Sequence, residues 1–391
     1  MRITQNMTYR LAVDSMQATS NALATTQEQL STGDAFQTAG QDPVDAGQVL
    51  ALNTQLAGIT ADGKTLGTAQ LNLQYESQAL TSAQNILTQA RSLALQANNA
   101  TMDATSRQAI AQQIGGLEQQ LVSVANSDTS SGQPLFGGDQ SSGPAFVQDA
   151  SGNVAYVGGD QVNWLQVDPT TALPAGDSGQ SVFMDSPDGT SGLSVAAGSG
   201  NTGTLQITSA SPPLSLPVPS FTLTFSAGEY TATAADGTVI ATGAYSGSGS
   251  LTIEGITLSL TGTPADGDTV GVQAAGDQSI FATLNNLQAA VLTTDSTARA
   301  NAIFTGVNAL DAASTHLTDV NTVNAGRLDA LTSLQASQGA QSTNIQDATS
   351  QLAGTDYAQA ASQLSQLTTA LQAAEQSFAK IQTLSLFQWI D

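Results

Sequence analysis

A seven-residue repeat of apolar side chains at both ends of the chain is the feature that most restricts its fold. Near the C-terminus every seventh position from residue 357 is apolar, and a second apolar series falls between these positions, as in the a and d positions of a coiled coil. The same spacing recurs from residue 9, although Ser20 and Gln27 make the second series there partly polar. The repeat predicts one long helix at each end and a protein that assembles. We assign its subunit interface to the following side chains, called the terminal seam below: Tyr9, Met16, Leu23, Leu30, Tyr357, Leu364, Leu367, Leu371, Phe378, Ile381 and Leu384.

The terminal helices are expected to depend on partners. An isolated helix is marginally stable in water, and an apolar face without a partner remains hydrated. We therefore expect the two ends to be unpaired and disordered in the free monomer and to become ordered in an assembly. The alternative is an intramolecular antiparallel pair formed by the two ends.

Composition excludes several classes of function. The 391 residues carry a net charge of -23, so the chain should be repelled by nucleic acid and by anionic membrane surfaces. Cysteine is absent, which excludes disulfides and thiolate chemistry. The sequence contains no run of about 18 apolar residues, so it predicts no membrane span. The N-terminal residues have no apolar core of a secretory signal peptide, so an extracellular location would require another export route.

The composition changes from helix-like to strand-like near residue 134 and back near residue 278. We therefore predict an α+β fold, in which both chain ends form a long α-helical bundle and coiled-coil rod, with an inserted all-β, sandwich-like domain. The predicted parts are an N-terminal coiled-coil helix, the first half of the bundle, the β domain, the second half of the bundle and a C-terminal coiled-coil helix. Their ranges are 1–41, 42–133, 134–277, 278–354 and 355–391.

Capping residues place the helix boundaries. Gly33 follows the last seam residue of the first helix, and Asp42 precedes Pro43 at the start of the second. The second helix should run from Val44 to Ala97. Shorter apolar patterns predict further helices near 104–125, from 280 and over 297–352. We expect irregularities in the second helix at its glycines, Gly58, Gly63 and Gly67.

The middle region shows short runs of alternating apolar and polar residues between glycine-rich turns. Runs such as VNWLQV, SVFM, FTLTF and ITLSL predict strands, and the Asp-Gly pairs at 236–237 and 266–267 predict hairpin turns. Trp164 is expected in the β core rather than on a carbohydrate-binding surface. The order of the strands does not follow from these patterns.

Several short motifs resemble those of the flagellin-like hook-associated proteins, and most closely the FlgL family of hook-filament junction proteins. The start MRITQNMTYR, the stretch LSTG at 30–33 and Asp42-Pro43 resemble the family's first helix, break and second helix. SGQPLFGG at 131–138 resembles the exit from the helical domain, and GTPADGDT at 262–269 with QSIF at 278–281 resembles the return to it. The tail AEQSFAKIQTLSLFQWI resembles the junction protein's ending rather than that of flagellin.

The resemblance implies a non-enzymatic structural adaptor of the bacterial flagellum, located outside the cell at the hook-filament junction and exported unfolded by the flagellar type III system. Its partners would be further copies of itself in a ring, the adjoining hook-associated protein, flagellin on which the filament builds, and an export chaperone of the FlgN type. Nucleic acid and membrane insertion are not expected. As a hypothesis, the chaperone would bind the C-terminal part of the terminal seam: Leu364, Leu371, Phe378, Ile381 and Leu384.

Two other functions remain as alternatives. A divergent flagellin would form filaments by itself, although the tail and the MRIT start argue against it. A surface adhesin or enzyme would use the β domain as a binding module, but residues 140–275 show no convergent polar or metal-binding set.

No catalytic, cofactor or metal site is predicted, because each matching motif has a simpler structural interpretation. His316 is the only histidine, so a histidine pair for zinc cannot form. Gly198, Gly200 and Gly203 match G-x-G-x-x-G, but a strand-like run follows where a dinucleotide site needs a helix. Asp266 and Asp268 lack the later ligands of a calcium loop. Trp389, beyond the repeat, is expected to be exposed unless a neighbouring molecule covers it.

Overall fold

The computed structural model describes residues 5–150, 152–159, 161–162, 164–168, 171–213 and 218–387. The chain forms two compact units. One consists of Met1–Lys64 with Leu334–Asp391, and the other of Thr65–Ser333. Trp389 lies outside the described residues.

The helices follow the capping signals of the sequence. They are α1 (Gln5–Thr32), α2 (Pro43–Ala97), α3 (Ala104–Ala125), α4 (Ile280–Leu292), α5 (Ser296–Ala353) and α6 (Tyr357–Phe387). Helix α1 ends at Gly33, whose φ is 82° and whose N–H bonds the Gln29 carbonyl at 2.8 Å. The Asp42 carboxylate accepts hydrogen bonds from the N–H groups of Val44 and Asp45 at 3.1 and 3.0 Å, which caps α2. Helix α2 is continuous, so the expected irregularities at its glycines are wrong.

Four helices share the core of the larger unit. Leu80, Leu87, Ile114, Leu284 and Leu310 represent α2, α3, α4 and α5 in one buried cluster. The predicted helical bundle is therefore confirmed. The core also contains four packed phenylalanine rings from the segments that enter and leave the β region: Phe136, Phe146, Phe183 and Phe281.

The described residues of the β region form fourteen strands, all in antiparallel pairs. Five form one sheet in the order β10-β9-β8-β13-β6, and three form a second in the order β11-β12-β7. The other strands form the two-stranded pairs β1-β2, β3-β4 and β5-β14. The strand ranges are β1 (Phe146–Gln148), β2 (Val154–Tyr156), β3 (Trp164–Asp168), β4 (Thr171–Pro174), β5 (Ser186–Pro187), β6 (Leu193–Ala197), β7 (Gln206–Ser211), β8 (Phe221–Ser226), β9 (Glu229–Ala234), β10 (Val239–Ala244), β11 (Ser248–Ile253), β12 (Ile256–Thr261), β13 (Thr269–Ala274) and β14 (Asp277–Gln278).

The two larger sheets form a sandwich around one apolar core. Leu223 and Val270 from the five-stranded sheet share a buried cluster with Ile256 and Leu258 from the three-stranded sheet. Alternation along β8, where Phe221, Leu223 and Phe225 are buried and the residues between them are exposed, directs one face into this core. The sandwich-like prediction is confirmed.

Three local predictions in this region are wrong. The SVFM run lies in a π-helical turn (Gln180–Met184) rather than a strand, because its alternation is too short to favour a strand over a turn that buries Val182 and Phe183. Asp266-Gly267 forms the predicted turn, with Gly267 at a φ of 93°, but this turn does not close a hairpin, since β12 and β13 belong to different sheets. Trp164 is 63% exposed, because its strand lies in a two-stranded sheet with β4, outside the sandwich core.

The G-x-G-x-x-G stretch is a loop, in agreement with its structural interpretation. Its backbone wraps the buried carboxylate of Asp268, which accepts hydrogen bonds from the N–H groups of Thr202 at 2.8 Å and Gly203 at 3.0 Å. The same carboxylate accepts a third from the N–H of Ala265 at 2.8 Å. These contacts connect the loop after β6 with the turn before β13.

Within the described ranges, no helix has the length and apolar character that a membrane span requires. The same residues contain no group of three or more histidine, cysteine, aspartate or glutamate side chains suited to hold a metal ion.

Candidate subunit interface

Helices α1 and α6 lie side by side and antiparallel. The rings of Tyr9 and Phe378 pack with their centroids 5.1 Å apart near one end of the pair. At the other end, Gly33 lies against Tyr357, so closely that a Cβ on Gly33 would come within 2.7 Å of the Tyr357 hydroxyl. The expectation that both ends lack a partner in the single chain is therefore wrong, and the structure has the intramolecular antiparallel pair. The seven-residue repeat fails to distinguish the two cases because a seam from the same chain satisfies it equally well.

The breaks that precede α2 and α6 are hydrogen-bonded to each other. The backbone N–H of Ala35 bonds the carbonyl of Ala353 at 2.6 Å, and the N–H of Thr355 bonds the carbonyl of Gly33 at 2.8 Å. Asp34 and Gly354 form the antiparallel bridge between these bonds. The two breaks thus fix where the helix pair begins.

A side-chain cap and an amide complete this junction. The Asp356 carboxylate accepts hydrogen bonds from the N–H groups of Ala358 and Gln359 at 2.9 and 3.1 Å, which starts α6. The Gln29 side chain donates to the carbonyl of Ala35 at 2.6 Å. Glycine is needed at position 33 because its φ of 82° is strained for any other residue.

A single helix pair leaves most of the terminal seam only half-buried. Tyr9 and Tyr357 remain 44% and 58% exposed. The other predicted interface residues whose side chains are described are half-buried: Met16, Leu23, Leu30, Leu364, Leu367, Leu371 and Phe378. The side chains of Ile381 and Leu384 lie outside the described part of the chain. The assignment of these residues to an interface stays a prediction.

An open groove runs between the two helices. It has a volume of about 430 Å³ and is lined by Val13, Met16 and Ser20 on one helix and by Leu371, Glu375 and Phe378 on the other, among others. The groove lies where Ser20 interrupts the second apolar series, because a short polar side chain cannot fill the space that a leucine fills at a d position. Apolar side chains from another molecule would find half-buried apolar walls there.

The helix pair carries little of the chain's negative charge. Helix α1 contains Arg10, Asp14 and Glu28, and α6 contains Glu375 and Lys380. Copies of a chain with a net charge of -23 repel each other, so a nearly neutral surface is where they approach at the lowest electrostatic cost.

Several exposed apolar residues lie outside the terminal seam and were not predicted from the sequence. Met7 and Leu11 of α1 are 55% and 65% exposed, and Val44 and Leu50 of α2 are each 68% exposed. Met7 and Leu11 are four residues apart and share one helical face, which is a signal that the sequence contains. The repeat alone does not identify these residues, because each lies outside its positions.

The sequence also matches known families. Residues 3–141 match the bacterial flagellin N-terminal helical region. The chain is 25% identical to flagellar hook-associated protein 3 of Salmonella typhimurium over 185 residues, which are 47% of this chain and 57% of that protein. It is 28% identical to the Escherichia coli protein of the same name over 160 residues, or 40% of this chain and 48% of that protein. The chain thus spans about half the length of these curated relatives.

The fold matches a solved structure over a longer range. The crystal structure of Xanthomonas campestris FlgL is 27% identical, with a TM-score of 0.64, over 75% of this chain and 95% of that one. The resemblance to the FlgL family predicted from the short motifs is confirmed by these similarities.

Proposed function

We propose that this chain, which is similar to the flagellar hook-associated proteins of the FlgL family in sequence and in fold, is a structural subunit of the bacterial flagellum that joins the hook to the filament. The role is mechanical rather than enzymatic. The observation that supports it best is the α1-α6 pair, because its seam residues are half-buried and its groove stays open in the single chain.

In this proposal, terminal helices of neighbouring copies complete the seam. A third or fourth helix that covers the groove between Met16 and Leu371 would bury side chains that one pair leaves half-exposed, and each fully buried large apolar side chain contributes about 1.5–3 kcal/mol. The low charge of both helices favours such contacts. The result would be a ring of subunits between the adjoining hook-associated protein and flagellin.

The same residues would require protection before assembly. We propose that the chain leaves the cell unfolded through the flagellar type III system. An export chaperone of the FlgN type would cover the C-terminal seam from Leu364 to Leu384 until the chain is exported. A singly helical α6 would present Leu364, Leu371 and Phe378 on one face, since they are spaced by seven residues.

Electron microscopy of cells that lack the gene, with a flagellin blot of the medium, tests the proposed role. We expect bare hooks and flagellin lost to the medium, because the filament would have no foundation. Hooks with normal filaments would overturn the proposal and favour a minor flagellin or an adhesin.

Complementation of the same cells tests the interface. Leu371→Ser changes a half-buried residue of the groove, whereas Gln372→Ser changes its exposed neighbour on the same helix. We expect only the first variant to leave bare hooks while it is still secreted. Filaments of normal number with Leu371→Ser would contradict the assignment of the seam to the interface.

Chaperone binding needs a separate measurement. We expect removal of the last 40 residues to abolish binding of the purified chaperone, and Leu371→Ser to weaken it more than Gln372→Ser does. Unchanged binding after the truncation would overturn the chaperone hypothesis and leave the junction role unaffected.

A further inference from the structure

Three charged side chains meet inside the larger unit, away from the terminal helices. Glu76 of α2 is fully buried, and the Asp177 carboxylate, from the segment that follows β4, faces it. Arg327 of α5 binds Asp177 with two parallel hydrogen bonds, both 2.9 Å long. The cluster therefore joins two long helices to the segment 175–178, which leads into the π-helical turn.

The charges of the cluster do not balance. Two carboxylates and one guanidinium would leave one negative charge buried, and an unbalanced buried charge is strongly unfavourable. The guanidinium fork is directed at Asp177, while among the described residues neither oxygen of Glu76 has a well-aligned hydrogen-bond partner. A proton on Glu76 would remove this charge.

We propose that Glu76 holds a proton in the folded protein, and that the loss of this proton at alkaline pH releases the segment 175–178 from α2 and α5. The cluster is then a proton-dependent latch at the point where the β region joins the helical bundle. It involves residues remote from the terminal seam and goes beyond the proposed junction role.

Burial and the neighbouring charges support this reading. Burial raises the pKa of Glu76 well above its ordinary value of 4.5, and the negative charge of Asp177 raises this pKa further. The positive charge of Arg327 and, to a smaller extent, the backbone of Asp177 lower the pKa without overcoming these effects. Among the described residues, Asp177 and Arg327 are the charged groups that face Glu76, and Asp139 lines the cavity that Asp177 also lines.

A cavity beside the latch gives water a route to it. Its volume is about 80 Å³, and Asn72, Gly176 and Asp177 are among its lining residues. The Oδ1 atom of Asn72 is buried and has no hydrogen-bond partner among the described residues. Ionised Glu76 would draw water through this cavity, since a buried charge without a partner is stabilised chiefly by hydration.

The segment controlled by the latch is connected to the aromatic core. The N–H of Gly179, directly after the segment, bonds the carbonyl of Phe136 at 2.8 Å, and Phe136 packs edge-to-face on Phe183 of the π-helical turn. Release of the segment would therefore loosen the exit from the bundle first, before the rest of the unit unfolds.

The stability consequence has a definite sign. Because the folded protein retains the proton to higher pH than the unfolded chain, the free energy of unfolding falls as pH rises from 4.5 through the raised pKa of Glu76. Glu76→Gln is uncharged at every pH and should remove this part of the dependence.

Infrared spectroscopy and hydrogen exchange of the full chain test the proposal. At neutral pH we expect a protonated-carboxyl band in the wild type and no such band in Glu76→Gln. Glu118→Gln is the control and should retain the band, because Glu118 is a buried carboxyl of α3 outside the cluster. As pH rises from neutral to alkaline, protection of residues 175–178 should fall at least about tenfold beyond the intrinsic rate change, and by less than about threefold in Glu76→Gln.

Either of two results would overturn the latch. One is the absence of the carboxyl band from the wild-type spectrum at neutral pH. This measurement does not depend on whether any variant folds. The other is the same loss of protection in Glu76→Gln as in the wild type.

Discussion

The Oδ1 atom of Asn301 accepts a hydrogen bond from the backbone N–H of Ile207 at 2.9 Å, at the edge of the three-stranded sheet. The Nδ2 atom of the same amide donates to the carbonyl of Leu205 at 2.8 Å. One buried side chain of α5 thereby pairs both backbone groups that an additional strand would pair. It anchors the start of β7, and with it the β sandwich, to the helix.

Asn301→Leu should therefore destabilise the β sandwich. The substitution leaves the N–H of Ile207 and the carbonyl of Leu205 buried without partners, and each such group costs about 1–3 kcal/mol. Urea unfolding should show a loss of at least about 2 kcal/mol. Asn308→Leu, two turns farther along α5 at a half-buried position, is the control and should have a smaller effect. Equal losses in both variants would mean that the amide does not anchor the sheet.

Gly203→Ala should also destabilise the sandwich. A Cβ at this position would clash with the backbone N of Ala265 and lie 2.5 Å from an oxygen of Asp268, so the loop must move away from the carboxylate that it wraps. Loss of the buried hydrogen bonds to Asp268 should lower the free energy of unfolding by about 2 kcal/mol or more.

Gly200 supplies the matched control for this prediction. It lies in the same loop, and a Cβ there would meet nothing within 4 Å. Gly200→Ala should leave the urea midpoint nearly unchanged. If Gly203→Ala and Gly200→Ala have the same urea midpoint, the loop accommodates the added methyl group without loss of stability.

Helix boundaries were predictable because the signals that set them are local. Gly33 ends α1 by adopting a positive φ, and Asp42 caps α2 through a hydrogen bond to the N–H three residues later. The prediction of a helix from Ala104 to Ala125 is confirmed residue for residue. Each of these features depends on neighbours within about one helical turn.

Tertiary partners were not predictable by the same means. Asp268 is bonded to Thr202 and Gly203, and Asn301 to Leu205 and Ile207, across long stretches of chain that carry no matching local pattern. Two hairpins were also missed, because Ala227-Gly228 and Glu254-Gly255 form two-residue turns with positive φ at both positions. Their first residues are less typical of such turns than asparagine or aspartate.

The start of α3 should weaken in acid. Asp103 accepts a hydrogen bond from the N–H of Ser106 at 2.7 Å, and this bond lowers the pKa of Asp103 below its ordinary value of 3.8. Its contribution to stability is therefore fully present above pH 3.8 and is lost as pH falls through the lowered pKa. Circular dichroism during urea unfolding, repeated at several pH values, measures this loss.

Two substitutions separate the charge of Asp103 from its role as a cap. Asp103→Asn keeps an oxygen acceptor and should reduce the acid dependence while the helix remains capped. Asp103→Ala should lower stability at neutral pH as well. If the loss of stability in acid is the same in both variants as in the wild type, other carboxylates cause the acid sensitivity.

The Tyr9–Phe378 contact should couple the two chain ends energetically. We expect Tyr9→Leu and Phe378→Leu, singly and together, to give a coupling free energy of about 1 kcal/mol in the unfolding of the monomer, the usual contribution of an aromatic pair beyond its buried area. Tyr9→Leu with Tyr357→Leu is the control, because these residues lie at opposite ends of the helix pair, and distant substitutions are additive. Additive effects for Tyr9 and Phe378 would mean that the ends do not pair in the free chain. The seam would then form entirely between subunits.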